Sequence, residues 1–407
     1  MKTVREHLDD VLAAVAPLAP MQVALNDAHG CVLFEDVAVE WPLPPFDNSA
    51  MDGYAVRVDD LAGASETAPV TLKVIADLPA GSDKAVHVGA GTTARIMTGA
   101  PLPSGADAVV PIEWTDEGVV DVTVRRQPKL GEYIRRAGSD VTAGTVVVTS
   151  GTHLGPAQLA VLASSGRDRV LVRPRPRVVV LATGSELVPP GQRPGAGQIP
   201  DSNSVMLAAA ARDAGAVVFN VGIVGDDPRE LMSALEDQLV RADAVITSGG
   251  VSVGAYDVVK QALTRVGTVT FDKVAMQPGM PQGLGHVGPD STPLFALPGN
   301  PVSAFVSFEV FVRPALRRMI GVEPLERPQV RAVLKDAVTS PAGKQQYLRG
   351  WLDVEDGRYV VRPVSGAGSH LLHGLSQANS FIVLPEDVTA VAEGDPVTVM
   401  LLERRSA

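Results

Sequence analysis

The stretch VVVLATGSEL, residues 178–187, is an apolar run that ends in a polar loop, and three similar runs follow it along the chain. They are VVFNVGI at 217–223, AVIT at 244–247 and LFAL at 294–297. Helical periodicity separates the runs, near 203–214, 228–241, 257–266 and 301–318. Because parallel strands need crossover connections, this alternation predicts a three-layer α/β domain.

The chain on both sides of this region has the pattern of β structure. RPRPR at 173–177 is a stiff junction, preceded by short β-rich runs from 30 to 172 and by an amphipathic helix at 3–16. The predicted fold class is therefore α/β plus β, in several domains. Their predicted bounds are 17–45 with 138–172 for a linking domain, 46–137 for an inserted β domain, 1–16 with 173–320 for the α/β domain, and 326–405 for a C-terminal barrel-like β domain.

The composition disfavours several classes of protein. The 407 residues include 35 Lys and Arg against 46 Asp and Glu, a net charge of −11, and no basic run suits nucleic acid. The single cysteine, Cys31, cannot form an internal disulfide, which suits a reducing cytoplasm. Neither an export signal nor a membrane-spanning stretch is recognisable. We therefore expect a cytoplasmic protein without nucleic-acid or membrane partners.

The loops after the four strands are the candidate site, because open α/β sheets bind ligands beyond the carboxyl ends of their strands. In TSGGVSVGAYD at 247–257, the residues Ser248, Gly249, Gly250 and Ser252 predict a cradle for a phosphate or a pterin. A purely structural glycine-rich connection is the alternative. The loop lacks the signatures of a P-loop and of a dinucleotide-binding fold, which disfavours both classes.

Acidic side chains follow three of these strands: Glu186, Asp226 and Asp257. Each alone is typical of a solvated loop, but together they would suit a hard cation such as Mg²⁺. Asp227 stands before Pro228 and is predicted to begin a helix instead. In LPGNPVS at 297–303, helix initiation likewise explains Asn300 and Pro301 but does not explain Ser303. We expect Ser303 to face the same crevice at the ends of the strands.

Two further strings lie in the amino-terminal half, FDNSAMDGYAVR at 46–57 and RIMTGAPLPSGADAVV at 95–110. Turn geometry explains most of their polar residues but does not explain Asp52 and Thr98, which are therefore candidate functional residues. Together with TSGGVSVGAYD and LPGNPVSAF, these strings resemble the MoeA family of molybdopterin molybdenumtransferases, which is related to the E domain of gephyrin. The resemblance covers essentially the whole chain, with the strings in the same order.

The resemblance implies an elongated homodimer of four-domain subunits, with each active site between the subunits. It also implies an enzyme that inserts molybdate into adenylylated molybdopterin in the presence of Mg²⁺, yields the molybdenum cofactor and releases AMP. A molybdopterin adenylyltransferase and molybdoenzyme chaperones are further expected partners. The catalytic residues carried over by motif are Asp52, Thr98, Asp140, Glu186, Asp226 and Asp257, with Glu186, Asp226 and Asp257 as metal ligands.

The implied substrate-binding residues include the cradle residues above and a second group from later motifs. This second group is Lys273, Gln277, Pro298, Pro301, Ser303 and Arg349, of which Lys273 and Arg349 would face the oxyanion. Because Asp52 and Thr98 come from the amino-terminal half, the resemblance implies that they serve the partner subunit.

One departure from the family pattern concerns charge. Members commonly carry Lys-Pro-Gly-Lys where this chain has Gln277-Pro278-Gly279-Met280, so two expected cations are absent. Two unit charges about 4 Å apart interact by about 4 kcal/mol at an effective dielectric of about 20. Gln277 can still donate a hydrogen bond, and Lys273 remains. A non-catalytic scaffold and the preceding adenylyltransferase step are the rival functions.

Overall fold

The computed structural model describes residues 1–225, 227–250, 263 and 268–402. The chain forms two compact units. The first unit comprises residues 1–34, 151–155 and 170–407, and the second comprises 35–150 and 156–169. The helix expected at 257–266 lies outside the described residues except for Leu263, which is buried. The predicted division into four domains stays a prediction.

The described helices are few and short. They are α1 Val4–Ala13, α2 Pro156–Ser164, α3 Asn203–Asp213, α4 Pro228–Leu239, α5 Pro301–Ser307, α6 Arg313–Ile320 and α7 Leu372–Ser376, with a π-helical segment, Phe308–Val312, between α5 and α6. Single turns of 3₁₀ helix span Leu25–Asp27, Val58–Leu61 and Ile112–Trp114. Within the described part of the chain, no helix is both long enough and apolar enough to cross a membrane.

The strands are more numerous. Those up to Arg173 are β1 Met21–Ala24, β2 Val32–Leu33, β3 Val37–Ala38, β4 Asn48–Ser49, β5 Gly53–Val56, β6 Val70–Leu78, β7 Thr92–Ile96, β8 Ala108–Pro111, β9 Asp121–Val124, β10 Ile134–Arg135, β11 Val146–Val148 and β12 Arg169–Arg173. Those from Arg177 to Leu297 are β13 Arg177–Thr183, β14 Leu187–Val188, β15 Ile199–Pro200, β16 Val217–Val224, β17 Ala244–Ser248, β18 Thr270–Lys273, β19 Met276–Gln277, β20 Pro281–Val287 and β21 Thr292–Leu297. The rest are β22 Gln329–Leu334, β23 Val338–Thr339, β24 Gln345–Glu355, β25 Arg358–Pro363, β26 Ser380–Leu384, β27 Ala390–Val391 and β28 Pro396–Leu401.

The central sheet of the first unit has the strand order β16-β13-β17-β21-β20-β18. Its first four strands are parallel and coincide with the four apolar runs, so this prediction is confirmed. The remaining two strands add to the sheet antiparallel, through the β20–β21 hairpin and the β18–β20 pair. The sequence pattern does not predict this antiparallel edge, because glycines and polar residues interrupt the apolar period of β20.

Helices cover both faces of the central sheet, which confirms the three-layer α/β architecture. Val178 and Val180 pack with the cluster that contains α1, α3 and α6, whereas Val179 and Leu181 pack with the cluster that contains α4 and Leu263. Successive residues of a strand point to opposite faces, so a continuous apolar strand is the expected sequence for a sheet covered on both sides.

Two smaller β structures complete the fold. In the second unit, five strands form a sheet in the order β8-β5-β7-β6-β9 around a core that includes the buried Tyr54. In the first unit, β24, β25, β22, β28 and β26 pair in that order, and the β24–β26 pair closes the ring. The C-terminal β region is therefore a five-stranded barrel, as the sequence predicted.

The opening helix α1 begins with a capping box, in which Thr3 Oγ1 accepts a hydrogen bond from the Glu6 amide and the Glu6 carboxylate accepts one from the Thr3 amide. Its inner face carries His7, which is 2% exposed and packs edge-on against Phe311 with ring centroids 4.7 Å apart. Burial lowers the pKa of His7 from 6.5 to about 4, and the charge of Lys2 acts in the same direction. His7 is therefore neutral in the folded protein at neutral pH.

We expect this histidine to make folding pH-dependent. The unfolded chain binds a proton at His7 near pH 6.5, whereas the folded chain binds it only near the pKa of about 4. Stability is therefore full above pH 6.5 and falls as the pH drops towards 4, by up to about 3 kcal/mol. Urea unfolding at pH 7 and pH 4.5 should show a smaller difference for His7→Phe than for the wild type. The exposed His29→Phe should retain the wild-type difference, and an unchanged difference in His7→Phe would contradict the assignment.

Candidate active site

A crevice of about 620 Å³ opens at the carboxyl ends of β13, β17 and β21. Those strands end at Thr183, Ser248 and Leu297, so the loops that follow them meet at one edge of the sheet. The lining of the crevice includes Gly184, Glu186, Asp201, Asn203, Ser248 and His370. Of the sequence-predicted residues, Gly249, Gly250 and Pro301 also line this crevice.

Glu186 is an exposed carboxylate on the wall of the crevice. Its side chain lies against the Cα of Gly184, where a Cβ would be only 2.6 Å from Oε2. The glycine in ATGSEL therefore leaves room for the carboxylate to fold over the loop. No described residue hydrogen-bonds to the Glu186 side chain, so both of its oxygens can accept a ligand.

The backbone at Gly249 lies unusually close to the neighbouring strand. The residue has φ +100°, and a Cβ would lie 2.4 Å from the carbonyl oxygen of Thr183. The Gly249 amide donates to Leu297 O at 3.1 Å, which joins the loops after β17 and β21. Glycine is required here both by the left-handed backbone and by the lack of space. Ser252, Asp226 and Asp257, which the sequence assigned to the same edge, lie outside the described residues.

Asn203 fixes the relative positions of two loops of the crevice. Its Nδ2 donates to Ser248 Oγ at 2.7 Å and to Gly299 O at 2.7 Å. At the start of the same helix, the carboxylate of Asp201 accepts hydrogen bonds from the amide and the hydroxyl of Ser204. These contacts hold Ser248 beside the beginning of α3.

The motifs of the sequence did not indicate Asp201 or Asn203. The available signal was the string IPDSN at 199–203, in which short polar residues stand between a strand and a helix. The string begins with β15 itself, which has only two residues and therefore gives no apolar period of its own.

A second cavity, of about 560 Å³, lies next to the crevice, and we call it the basic hollow. It is lined by residues 276–281, Ser303, Lys344, Ala367, Gly368, Ser369 and His370. His370 lines both cavities. Neither His370 nor Lys344 belongs to the motifs that the sequence indicated.

Ser303 lines the basic hollow and not the crevice, which differs from the expectation for this residue. The reason is helical geometry, because Pro301 and Ser303 are two residues apart on α5 and point in different directions. Asn300 begins α5 as expected, but its side chain makes no capping hydrogen bond. Gln277 also lines the hollow, whereas Pro298 is buried and lines neither cavity.

Arg349 is buried beneath the rim of the basic hollow. Its guanidinium donates to the carbonyl oxygens of Gly366 and Gly368, the latter at 3.0 Å, and more weakly to that of Val364 at 3.5 Å. Burial lowers the pKa of Arg349. These contacts hold the 364–368 loop, which carries part of the lining, and the expected contact of Arg349 with an oxyanion stays a prediction.

Lys273 lies apart from both cavities. It is exposed at the end of β18 and lines a hollow with Met1, Lys2, Glu6 and Asp272. Its carbonyl oxygen accepts a hydrogen bond from the Lys2 amide at 3.0 Å. The strand directs this side chain to the α1 side, so the basic hollow receives no charge from Lys273.

The second unit contains three of the predicted acid and hydroxyl residues. Asp52 Oδ1 accepts hydrogen bonds from the Thr98 amide at 2.7 Å and from Thr98 Oγ1 at 2.8 Å. These bonds lower the pKa of the exposed Asp52 carboxyl. Asp140 is also exposed, and its amide donates to Leu43 O at 3.0 Å. Asp52 and Thr98 thus form a pair, fixed by the loops after β4 and β7.

The described residues offer few ligands for a divalent cation. Within this part of the chain, no three His, Cys, Asp or Glu side chains are arranged to hold a metal ion. Mg²⁺ is commonly held by only one or two carboxylates together with the phosphates of a substrate. Among the described lining of the crevice, the Glu186 carboxylate has both oxygens open, whereas each oxygen of Asp201 already accepts one hydrogen bond from Ser204.

Three family models match the chain. Residues 2–166 match the MoeA N-terminal region (domain I and II), 179–318 match a probable molybdopterin binding domain, and 331–402 match the MoeA C-terminal region (domain IV). Together these matches cover nearly the whole chain.

Curated relatives and solved structures agree with the models. The chain is 49% identical to molybdopterin molybdenumtransferase 2 of Mycobacterium tuberculosis over 98% of this chain and 99% of the relative. It is 43% identical to molybdopterin molybdenumtransferase 1 of the same organism, over 99% of each chain. A crystal structure of a molybdopterin biosynthesis MoeA protein from Pyrococcus horikoshii OT3 has a TM-score of 0.70 and 31% identity, and it covers 98% of this chain and 100% of that chain.

Proposed function

This chain belongs to the MoeA family of molybdopterin molybdenumtransferases, and from that premise we propose that it inserts molybdate into adenylylated molybdopterin and releases AMP with Mg²⁺ bound. Family membership makes it a transferase of molybdenum cofactor biosynthesis. AMP release, the adenylylated substrate and the dependence on Mg²⁺ are the finer parts of the proposal.

The supporting observation is the opposite charge of two adjoining cavities. The described lining of the crevice contains Glu186 and Asp201 and no Lys or Arg. The described lining of the basic hollow contains Lys344 and no Asp or Glu. An acidic crevice suits a pyrophosphate that binds through a divalent cation, whereas a basic cavity suits a free oxyanion.

The roles of the crevice residues follow from their contacts. Glu186 is the described carboxylate that would hold Mg²⁺, which when bound neutralises charge on the pyrophosphate and on the departing AMP. Ser248 presents its hydroxyl and Gly250 its amide as donors to phosphate oxygens, whereas the Gly249 amide already bonds to Leu297 O. Asn203 keeps Ser248 in position through its 2.7 Å hydrogen bond. Catalysis then depends mainly on positioning and electrostatics.

The chemistry balances without a redox step. Cleavage of the phosphoanhydride bond takes up one water and leaves AMP. Two dithiol sulfurs replace two oxygens of molybdate, and those oxygens leave as water with the two thiol protons and two further protons. Gln277 and Ser303 line the basic hollow and are the polar groups that would orient the oxyanion there.

We further propose that the chain acts as a homodimer in the cytoplasm, with Asp52 and Thr98 serving the crevice of the partner subunit. The symmetry of a two-fold dimer would give two equivalent sites of this kind. The fixed Asp52–Thr98 pair, with its exposed carboxylate, is the feature of the second unit that supports this assignment. A molybdopterin adenylyltransferase is the proposed supplier of substrate, and molybdoenzyme chaperones are the proposed recipients of product.

The test combines purified protein with adenylylated molybdopterin, Mg²⁺ and molybdate, and measures AMP and finished cofactor. We expect both products, their loss on chelation of Mg²⁺, and a fall in rate of about a hundredfold in Glu186→Gln. The exposed Glu66→Gln in the second unit is the matched control and should retain the wild-type rate. Turnover of ATP with molybdopterin, and none with the adenylylated substrate, would contradict the proposal in favour of the adenylyltransferase step.

A further inference from the structure

We propose that Lys344 supplies the positive charge that binds molybdate in the basic hollow. The inference rests on the proposed function, since it assumes that a tetrahedral oxyanion is one of the substrates. Lys344 has no counterpart among the motifs of the sequence analysis, and it lies 64 positions beyond Met280 in the chain. The proposed role in anion binding follows only from its position in the lining of the basic hollow.

The position of Lys344 is fixed by the pairing of two strands. β19 and the start of β24 pair in parallel, with Met276 opposite Gln345 and Gln277 opposite Gln346. The Gln345 amide donates to Ala275 O at 2.9 Å. Gly343, with φ +73°, turns the chain just before this pair. Lys344 is therefore held at the beginning of the β19–β24 ladder, and its half-buried side chain lines the hollow.

None of the described carboxylates neutralises the charge of Lys344. No described acidic group forms a salt bridge with its ammonium, and the described lining of the hollow includes no carboxylate. Two other lysines of the first unit, Lys2 and Lys335, differ in this respect. Lys335 Nζ lies 2.6 Å from Glu355, and Lys2 Nζ lies 2.8 Å from Asp10 and 2.7 Å from Asp272. A lysine that faces a cavity without a carboxylate is suited to bind an external anion.

The same cavity contains the two positions at which the chain departs from the family pattern. Gln277 and Met280 both line the basic hollow, where Lys-Pro-Gly-Lys would contribute two cations. Lys344 enters the same space from a different element of the fold. Charge lost from the 277–280 segment is thus restored, in part, by the segment that begins β24.

The test compares molybdate binding and turnover in Lys344→Met and the wild type. We expect the dissociation constant for molybdate, measured by calorimetry, to rise about tenfold or more, as for loss of one charged contact. The KM for molybdate should rise similarly, while kcat at saturating molybdate and the melting temperature without ligand stay near wild type. The exposed Lys129→Met in the second unit should leave all four quantities unchanged.

Moving the positive charge from position 344 to position 277 distinguishes a direct role in molybdate binding from a structural effect of the Lys344 substitution. Gln277→Lys added to Lys344→Met should recover most of the lost affinity, because position 277 lines the same hollow. Equal molybdate affinity in Lys344→Met and the wild type would overturn the inference, as would a wild-type chain that does not bind molybdate. Failure of the proposed function is distinguishable, because it would abolish AMP release in the wild type while calorimetry still reports molybdate binding.

Discussion

Co-expression of Asp52→Ala and Glu186→Ala subunits should give a heterodimer with about half of the wild-type activity, although each variant alone is inactive. If each site combines Asp52 of one subunit with Glu186 of the other, this heterodimer holds one complete site and one site that lacks both carboxylates. Two affinity tags allow the heterodimer to be purified free of both homodimers. AMP release per dimer is the measurement.

The matched control places both substitutions in the same subunit. A heterodimer of a wild-type subunit and an Asp52→Ala/Glu186→Ala subunit has the same composition, yet each of its two sites would lack one carboxylate and should be inactive. Sites within a single subunit give the opposite pattern, because the control would then retain half of the activity and the first heterodimer none. Either pattern is decisive about which subunit supplies Asp52.

Glu309→Leu should lower the free energy of unfolding of the first unit by about 3–5 kcal/mol, the usual cost of breaking a buried ion pair. Glu309 is 2% exposed and lies in the π-helical segment. Its carboxylate accepts hydrogen bonds from Arg327 Nε at 2.7 Å and from Arg327 Nη2 at 3.1 Å. Removal of the carboxylate leaves a buried guanidinium without these partners. Urea unfolding, monitored by circular dichroism, measures the change.

Glu355→Gln is the control for this effect. Glu355 also contacts two cations, Lys335 at 2.6 Å and Arg362 at 3.1 Å, but it lies at the surface, where solvent screens the interaction. We expect a much smaller change in stability for Glu355→Gln. Addition of Arg327→Met to Glu309→Leu should recover part of the loss, because it removes the buried charge. A loss below about 1 kcal/mol in Glu309→Leu would show that the pair contributes little.

The sequence predicts the fold well where local pattern and burial agree. The four parallel strands were recognisable because a sheet covered on both faces needs apolar residues at every position, as in VVVLA at 178–182. The antiparallel edge was not recognisable, because Gly283 and Gly285 interrupt β20 at positions where neighbouring atoms leave no room for a Cβ. Because this need for glycine comes from other segments of the chain, it gives no periodic pattern in the sequence of β20.

The site was predictable only in part. Motif spacing indicated Glu186, Ser248 and Gly249, which do line one crevice. It could not show that Ser303 lines the basic hollow instead of the crevice, because this depends on the different directions of Pro301 and Ser303 on one helix turn. Arg349 was recognisable as a buried cation only after the fold brought the carbonyls of Gly366 and Gly368 to it. Lys344 comes close to Gln277 through strand pairing between distant segments.

The crevice and the basic hollow share His370 but otherwise have separate linings, which affects how the two cavities can change in evolution. If the proposed function holds, substitutions at residues that belong to the basic hollow alone, such as Gln277 or Met280, would change the affinity for the oxyanion without altering Glu186 in the crevice. Duplicated genes would then diverge in the oxyanion that they bind while the crevice keeps its chemistry. Position 370 is the exception, since a substitution there alters both pockets at once.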